Sequence, residues 1–180
     1  FLYEPLFAVT DGYEAEPILA ESYLVTDDGK TTTVKLRSGV TFHDGTAMTA
    51  ADAAYSIASA MGSEYYGSRL RVIIEAQAQD DLTLVLATSE AYECLPLLLD
   101  IPIIKAGTKD DASPMGTGPY AFADTKLVRC QNWWQDSEPL ADFDEIALTI
   151  SSTAADVRDN FEYQKVNMVL TDPNSSAFAG

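Results

Sequence analysis

Few residues in this chain could carry out catalysis, and their spacing does not favour it. Nucleophilic catalysis needs a base within reach of a serine or cysteine. The single histidine, His43, lies in a predicted turn beside Asp44, where a structural or solvated role is expected. Cys94 and Cys130 lack the CxxC spacing of a zinc or iron-sulfur site, and no carboxylate pair has the distinctive apolar setting used in glycoside hydrolysis. The sequence therefore predicts a protein that is not an enzyme and has neither cofactor nor metal site.

Two aromatic pairs and one glycine-rich turn could instead contact a small molecule. Aromatic rings supply rigid contact area with a polar edge, which Tyr65-Tyr66 or Trp133-Trp134 could present to a ligand. The Trp pair is more typical of packing within the protein, and the Tyr pair leaves both roles open. Gly116-Thr117-Gly118 resembles part of a phosphate-cradling loop but lacks the further glycine and the Lys-Ser/Thr of that motif. Its spacing alone favours a tight turn that lets backbone approach backbone.

Two outcomes are open for the cysteines. A disulfide between Cys94 and Cys130 would fit an oxidising compartment. Two buried free thiols would each behave as a small hydrophobic side chain. A thiol titration with and without reductant distinguishes these outcomes.

The charge of the chain narrows the choice of partner. Eleven Lys and Arg oppose 28 Asp and Glu, which gives a formal net charge of -17. Because phosphate binding is driven mainly by Lys and Arg, the sequence predicts no nucleic-acid partner and disfavours anionic membrane surfaces. The longest apolar run, residues 95–99, falls far short of the roughly 18 residues that cross a bilayer. The chain also starts at Phe1 without a leader segment, which predicts that it was cut from a longer protein.

Alternating apolar and polar residues predict two hairpins. Val34 and Leu36 alternate with polar neighbours in residues 31–37, and Val40 and Phe42 continue this period of two up to a turn at Asp44-Gly45. A second hairpin is predicted from strands at residues 72–78 and 82–87. Beyond a Gly-, Ser- and Pro-rich loop at 106–118, which is the predicted domain boundary, the pattern favours strands at 120–122, 127–131, 143–150 and 166–170.

Capping signals predict the helices. Thr49 and Asp52 match a capping box at the start of a helix that ends near Gly62. Thr153 is placed to cap a helix over residues 154–163. Residues 90–99 predict a short buried helix with Pro96 in its first turn.

Five segments stand out along the chain: LYEPLF at residues 2–7, LAESY at 19–23, DDGKTTTVKLRSGVTFHDGTAMTAADAAYS at 27–56, GTGPY at 116–120 and NWW at 132–134. In this order they resemble the family 5 solute-binding proteins, which include the dipeptide-, oligopeptide- and nickel-binding receptors of ABC importers. The resemblance implies an α/β fold of the periplasmic-binding-protein-like class, type II, in its peptide-type form with an extra subdomain. It also implies two lobes that close on a ligand and a length well over twice this chain, so that the second lobe is absent here.

The resemblance further implies a division of the chain and a set of site residues. Residues 1–7 would start the first lobe, residues 8–115 would form the extra α/β subdomain, and residues 116–180 would return to the first lobe. The cleft in similar proteins is approached by three segments, whose counterparts here supply the candidate ligand-binding residues: Tyr65, Tyr66, Thr117, Gly118, Asp172, Pro173 and Asn174.

The function implied by the resemblance is capture of peptides or similar small solutes outside the membrane, without catalysis. The partners would be the solute and the ABC permease, and the protein would be extracytoplasmic, with any lipid anchor outside this chain. A ligand-sensing or interaction module that uses the same receptor fold is the alternative, because a fold alone does not dictate function.

Overall fold

A computed structural model describes residues 1–135, 143–151, 153–163 and 166–168. Its elements, in chain order, are β1 (Phe7–Val9), β2 (Ala15–Pro17), β3 (Ala20–Val25), β4 (Thr31–Leu36), α1 (Ala50–Met61), α2 (Gly67–Leu70), β5 (Ile73–Asp80), β6 (Thr83–Thr88), a 3₁₀ helix (Leu95–Leu98), β7 (Tyr120–Ala123), β8 (Lys126–Arg129), β9 (Glu145–Ala147) and α3 (Ala154–Glu162). Within this part of the chain, none of the helices combines the length and apolar character that crossing a bilayer requires.

The main core lies between a four-stranded antiparallel sheet and α1. The sheet has the order β3-β4-β6-β5, and Val34 of β4 pairs with Leu84 of β6, both fully buried. Helix α1 packs against β5 and β6 and buries Ala53 and Ile57. Burial of one large aliphatic side chain stabilises a fold by about 2 kcal/mol, so this cluster contributes much of the stability of the fold.

Helix α1 also holds residues 104–106, which follow the 3₁₀ helix. The Thr49 N–H donates to Asp52 Oδ2 at 2.9 Å, which is the acidic half of the predicted capping box. The other oxygen of Asp52 accepts from the Ala106 N–H at 2.9 Å. One turn further on, the Ser56 hydroxyl accepts from the Ile104 N–H at 2.9 Å. The helix is confirmed, and its buried polar side chains tie residues 104–106 to it.

The predicted hairpin over residues 31–42 is wrong. Strand β4 pairs with β3 on one side and with β6 on the other, so both of its edges are occupied. Val40 and Phe42 are buried, 1% and 3% exposed, but an isolated bridge joins Thr41 to Ala47 instead of to β4. The predicted turn is present, because the Gly45 N–H donates to the Phe42 carbonyl at 2.8 Å and Gly45 has a φ of +81°. The alternation of apolar and polar residues correctly predicted which side chains are buried, but not which strands pair with β4.

Other local predictions divide in the same way. The hairpin of β5 and β6 and the capped helix α3 are confirmed. The helix predicted at 90–99 shortens to one 3₁₀ turn, with Pro96 in its first turn as expected, and the strand predicted at 143–150 shortens to β9. In the strand predicted at 166–170, residues 166–168 are not in a strand, and residues 169–170 lie outside the described residues. Strands β1, β2 and β3 were not predicted.

Besides the two-stranded sheet of β1 and β2, a three-stranded sheet follows the loop at 106–118. It has the order β7-β8-β9, all antiparallel. Tyr120 and Leu127 are buried, with 1% and 6% of their surface exposed. Helix α3, capped by Thr153 through its hydroxyl and the Asp156 N–H at 3.1 Å, has no buried residue.

Candidate functional site

A buried carboxylate joins three distant segments of the chain. Glu4 is 8% exposed, and its Oε2 accepts from the Thr117 hydroxyl at 2.9 Å and from the Trp134 indole Nε1 at 2.7 Å. Burial raises the pKa of Glu4 from its usual value of 4.5, although the hydrogen bonds from Trp134 and Thr117 act in the opposite direction. The carboxylate therefore holds the N-terminal segment, the glycine-rich turn and the Trp pair together.

The glycine-rich turn lies directly against the N-terminal segment. The Gly118 N–H donates to the Leu2 carbonyl at 3.0 Å, and the Tyr120 N–H donates to the Phe1 carbonyl at 3.1 Å. A Cβ at Gly118 would lie 2.2 Å from the Phe1 oxygen, and one at Gly116 would lie 2.1 Å from the Leu2 oxygen. The close backbone approach inferred from the spacing is confirmed. The division into residues 1–7, 8–115 and 116–180 stays a prediction.

His43 supports the same turn from its other side. Its backbone N–H donates to the Gly116 carbonyl at 3.0 Å, and its Nε2 lies 3.1 Å from the Gly118 carbonyl. Burial lowers the pKa of His43 from 6.5, so the ring is neutral at pH 7 and donates to Gly118 from Nε2. This gives the single histidine a structural role.

The turn borders an open cavity of about 300 Å³. Its lining includes His43, Thr117, Gly118, Arg129 and Trp133. Thr117 is 1% exposed and its hydroxyl donates a hydrogen bond to Glu4, so this side chain stabilises the cavity wall. Two of the predicted site residues, Thr117 and its sequence neighbour Gly118, thus line this cavity.

The predicted tyrosine pair lies in the loop between α1 and α2 and does not line that cavity. The Tyr65 ring is 81% exposed and meets the Tyr66 ring edge to face, with 4.7 Å between centroids. Next to it, the Arg69 guanidinium lies 5.4 Å from the centre of the Tyr66 ring and forms an ion pair with Asp100 at 2.5 Å. Tyr65 is therefore accessible to a ligand.

The remaining predicted site residues, Asp172, Pro173 and Asn174, lie outside the described residues. Their role in binding stays a prediction. Glu4, Arg69 and Asp100 were not predicted as site residues from the sequence. For Glu4 a signal existed, because an acidic residue within the apolar segment LYEPLF is expected to need a buried partner.

The cysteines do not form a disulfide. Cys94 is exposed and Cys130 is half-buried, and burial raises the pKa of the Cys130 thiol. The disulfide is therefore ruled out in this structure, and the expectation of two buried thiols is wrong for Cys94. Among the described residues, no group of three or more His, Cys, Asp or Glu side chains is arranged to hold a metal ion.

We expect a thiol reagent to count two free thiols per native chain without reductant. Cys94 should react first, because it is exposed and the raised pKa of Cys130 reduces its thiolate fraction. The final colour developed with a disulfide reagent at pH 8 gives the number of free thiols, and the rate of colour development gives the order in which they react. A native chain with no titratable thiol that gains two after reduction would contradict this result.

Residues 14–179 match the family described as bacterial extracellular solute-binding proteins, family 5 Middle. The chain belongs to this family. The glutathione-binding protein GsiB of Escherichia coli (strain K12) is 30% identical over 159 residues, covering 78% of this chain and 31% of that protein. The chain therefore spans about a third of the length of such family 5 relatives.

Two solved structures place the fold. NikA from Brucella suis, in complex with Fe(III)-EDTA, has a TM-score of 0.76 at 21% identity and covers 92% of this chain and 36% of its own. The oligopeptide-binding protein AppA from Bacillus subtilis, in complex with a nonapeptide, has a TM-score of 0.72 at 20% identity, covering 92% and 37%. At these identities the structures show the fold alone. The predicted periplasmic-binding-protein-like fold of type II is confirmed, as part of such a protein.

Proposed function

We propose that this chain belongs to the substrate-binding component of an ABC importer, where it helps to capture peptides or similar small solutes outside the membrane. The observation that carries the proposal is the family match over residues 14–179. The names of the relatives cover glutathione, a nonapeptide and a metal chelate. The fold therefore supports solute capture, and the identity of the solute depends on the side chains around the cleft.

The chain would supply one wall of that cleft. Tyr65, backed by the half-buried Tyr66 ring, offers exposed aromatic surface, which contacts a solute without requiring a particular charge. The turn at Thr117 and Gly118 offers a rigid cavity wall held by Glu4 and His43. A ligand that contacts this wall and a second lobe stabilises the closed form, so capture is a shift of population toward closure.

The partners and the location follow from the same proposal. The closed receptor would be recognised by an ABC permease, and the protein would work on the extracytoplasmic side of the membrane, tethered by a lipid anchor outside this chain. The formal charge of -17 suits a soluble receptor in that position. Catalysis has no part in this mechanism.

The test uses the full-length protein that contains this chain. A peptide library is screened by thermal shift, and hits are measured by calorimetry with the wild type and with Tyr65→Ala. Loss of one aromatic contact is expected to weaken binding about tenfold. Tyr13→Ala is the matched control, because Tyr65 and Tyr13 are both 81% exposed. Equal affinities of all three proteins would remove Tyr65 from the site, and a full-length protein that binds neither peptides nor similar small solutes would contradict the proposed function.

A further inference from the structure

The loop that carries the tyrosine pair has an unusual support. Within the loop, the Tyr66 N–H donates to the Ser63 hydroxyl at 3.0 Å, and the Gly67 N–H donates to the Ser63 carbonyl at 2.9 Å. A Cβ at Gly67 would lie 2.7 Å from the Met61 carbonyl oxygen, so the loop folds tightly onto the end of α1. These contacts are all local, and they set the backbone of the loop but not the direction of the rings.

The Tyr66 ring packs partly against the hydrophobic core, and an arginine of α2 contacts it as well. Arg69 lies under the Tyr66 ring, 5.4 Å from its centre, and forms an ion pair at 2.5 Å with Asp100. Asp100 follows the 3₁₀ helix and its C-cap Leu99, and both Leu95 and Leu99 are fully buried. The guanidinium is therefore tied to the core through Asp100 and lies over the Tyr66 ring.

The partial burial of the Arg69–Asp100 ion pair favours one arrangement of the guanidinium beside the Tyr66 ring. The side chains of Arg69 and Asp100 are 34% and 33% exposed. Arg69 Nε and Nη2 and Asp100 Oδ1 are buried without a hydrogen bond among the described residues, so charge attraction alone joins Arg69 to Asp100. A planar guanidinium can stack on a ring and bind a carboxylate at once, whereas a lysine ammonium is a point charge that cannot do both in this geometry.

We propose that Arg69 is a positioning residue for solute specificity, which holds the Tyr66 ring in place so that Tyr66 supports the exposed Tyr65 ring. The pairing with Asp100 also neutralises the charge next to the tyrosines. The wall then selects solutes through aromatic contact rather than through an ion pair. This last step rests on the proposed function, while the positioning of Tyr66 does not.

The positioning is tested without any solute. Tyrosine ring signals are recorded by NMR on the 180-residue chain labelled at tyrosine, for the wild type, Arg69→Lys, Arg69→Gln and Asp100→Asn. We expect the Tyr66 and Tyr65 ring signals to move in all three variants, because each one breaks the contact chain from Asp100 to the rings. Arg71→Gln is the matched control, since Arg71 is a nearby exposed arginine. Unchanged Tyr66 signals in a folded Arg69→Lys variant would overturn the proposal.

The specificity is tested by calorimetry on the full-length protein with a peptide that binds it. Arg69→Gln is expected to weaken binding about fivefold, and the double variant with Tyr66→Ala should be no weaker than Tyr66→Ala alone. If Arg69 bound the solute directly, its loss would weaken a peptide with a free carboxylate but not the same peptide amidated, and the positioning role would be overturned. A full-length protein that binds neither peptides nor similar small solutes would reject the proposed function and leave the NMR result standing.

Discussion

Gly118→Ala is expected to destabilise the protein by about 3 kcal/mol. The added Cβ would lie 2.2 Å from the Phe1 carbonyl oxygen and 2.7 Å from the Leu2 carbonyl carbon. Both are backbone atoms, so no side-chain rotation relieves the overlap. The N-terminal segment must move away, and the hydrogen bond from the Gly118 N–H to Leu2 is lost with it. The free energy of unfolding, measured by urea titration, gives the effect.

The control for this variant is Gly12→Ala. The nearest atom to a Cβ at Gly12 is the Thr10 hydroxyl oxygen at 3.7 Å, an ordinary contact. A change of no more than about 0.5 kcal/mol is expected there. Equal stabilities for the two alanine variants would mean that the N-terminal segment is not held against the turn as the structure shows.

Glu4→Ala is also expected to have a large effect, lowering the free energy of unfolding by about 3 kcal/mol. Removing the carboxylate leaves the Thr117 hydroxyl and the Trp134 indole N–H without their buried acceptor. Glu4→Gln keeps a carbonyl oxygen at the same place and should lose much less. Urea titration of both variants at pH 7 separates loss of the acceptor from loss of the charge, and equal losses would contradict the role assigned to the acceptor.

The pH dependence of Glu4→Gln follows from the pKa of Glu4. Because burial raises that pKa above 4.5, the folded protein holds the proton more tightly than the unfolded chain does. The stability this provides is complete below pH 4.5 and is lost as the pH rises through the raised pKa. The wild type should therefore lose stability relative to Glu4→Gln across that range. Parallel curves for the two proteins would show that the folded-state pKa is not raised.

Local signals in the sequence were enough for the elements that depend on local interactions. Helices α1 and α3 were predicted from Thr49 with Asp52 and from Thr153, because a capping side chain bonds to backbone within the same turn. The hairpin of β5 and β6 was predicted because its strands are adjacent in the chain. Strand β3 was missed because it lies at a sheet edge, with residues 21–24 all exposed and no alternation to read.

The candidate site depends on contacts that no local pattern contains. Glu4 reaches Thr117 and Trp134 across 113 and 130 positions of chain. The sequence indicated the close approach at Gly116 and Gly118, but it could not supply the segment that approaches. Arg69 and Asp100 were missed for the same reason, since a salt bridge between exposed-looking residues has no sequence signature. The family resemblance supplied the fold, which residue periodicity could not have reached.

Calorimetry with peptides, on the 180-residue chain and on the full-length protein, tests the central claim most directly. The chain spans about a third of its relatives' length, and one wall of a cleft makes only part of the contacts. We expect no measurable binding by the chain alone and binding by the full-length protein. A micromolar dissociation constant for the isolated 180 residues would contradict the two-lobe account of capture.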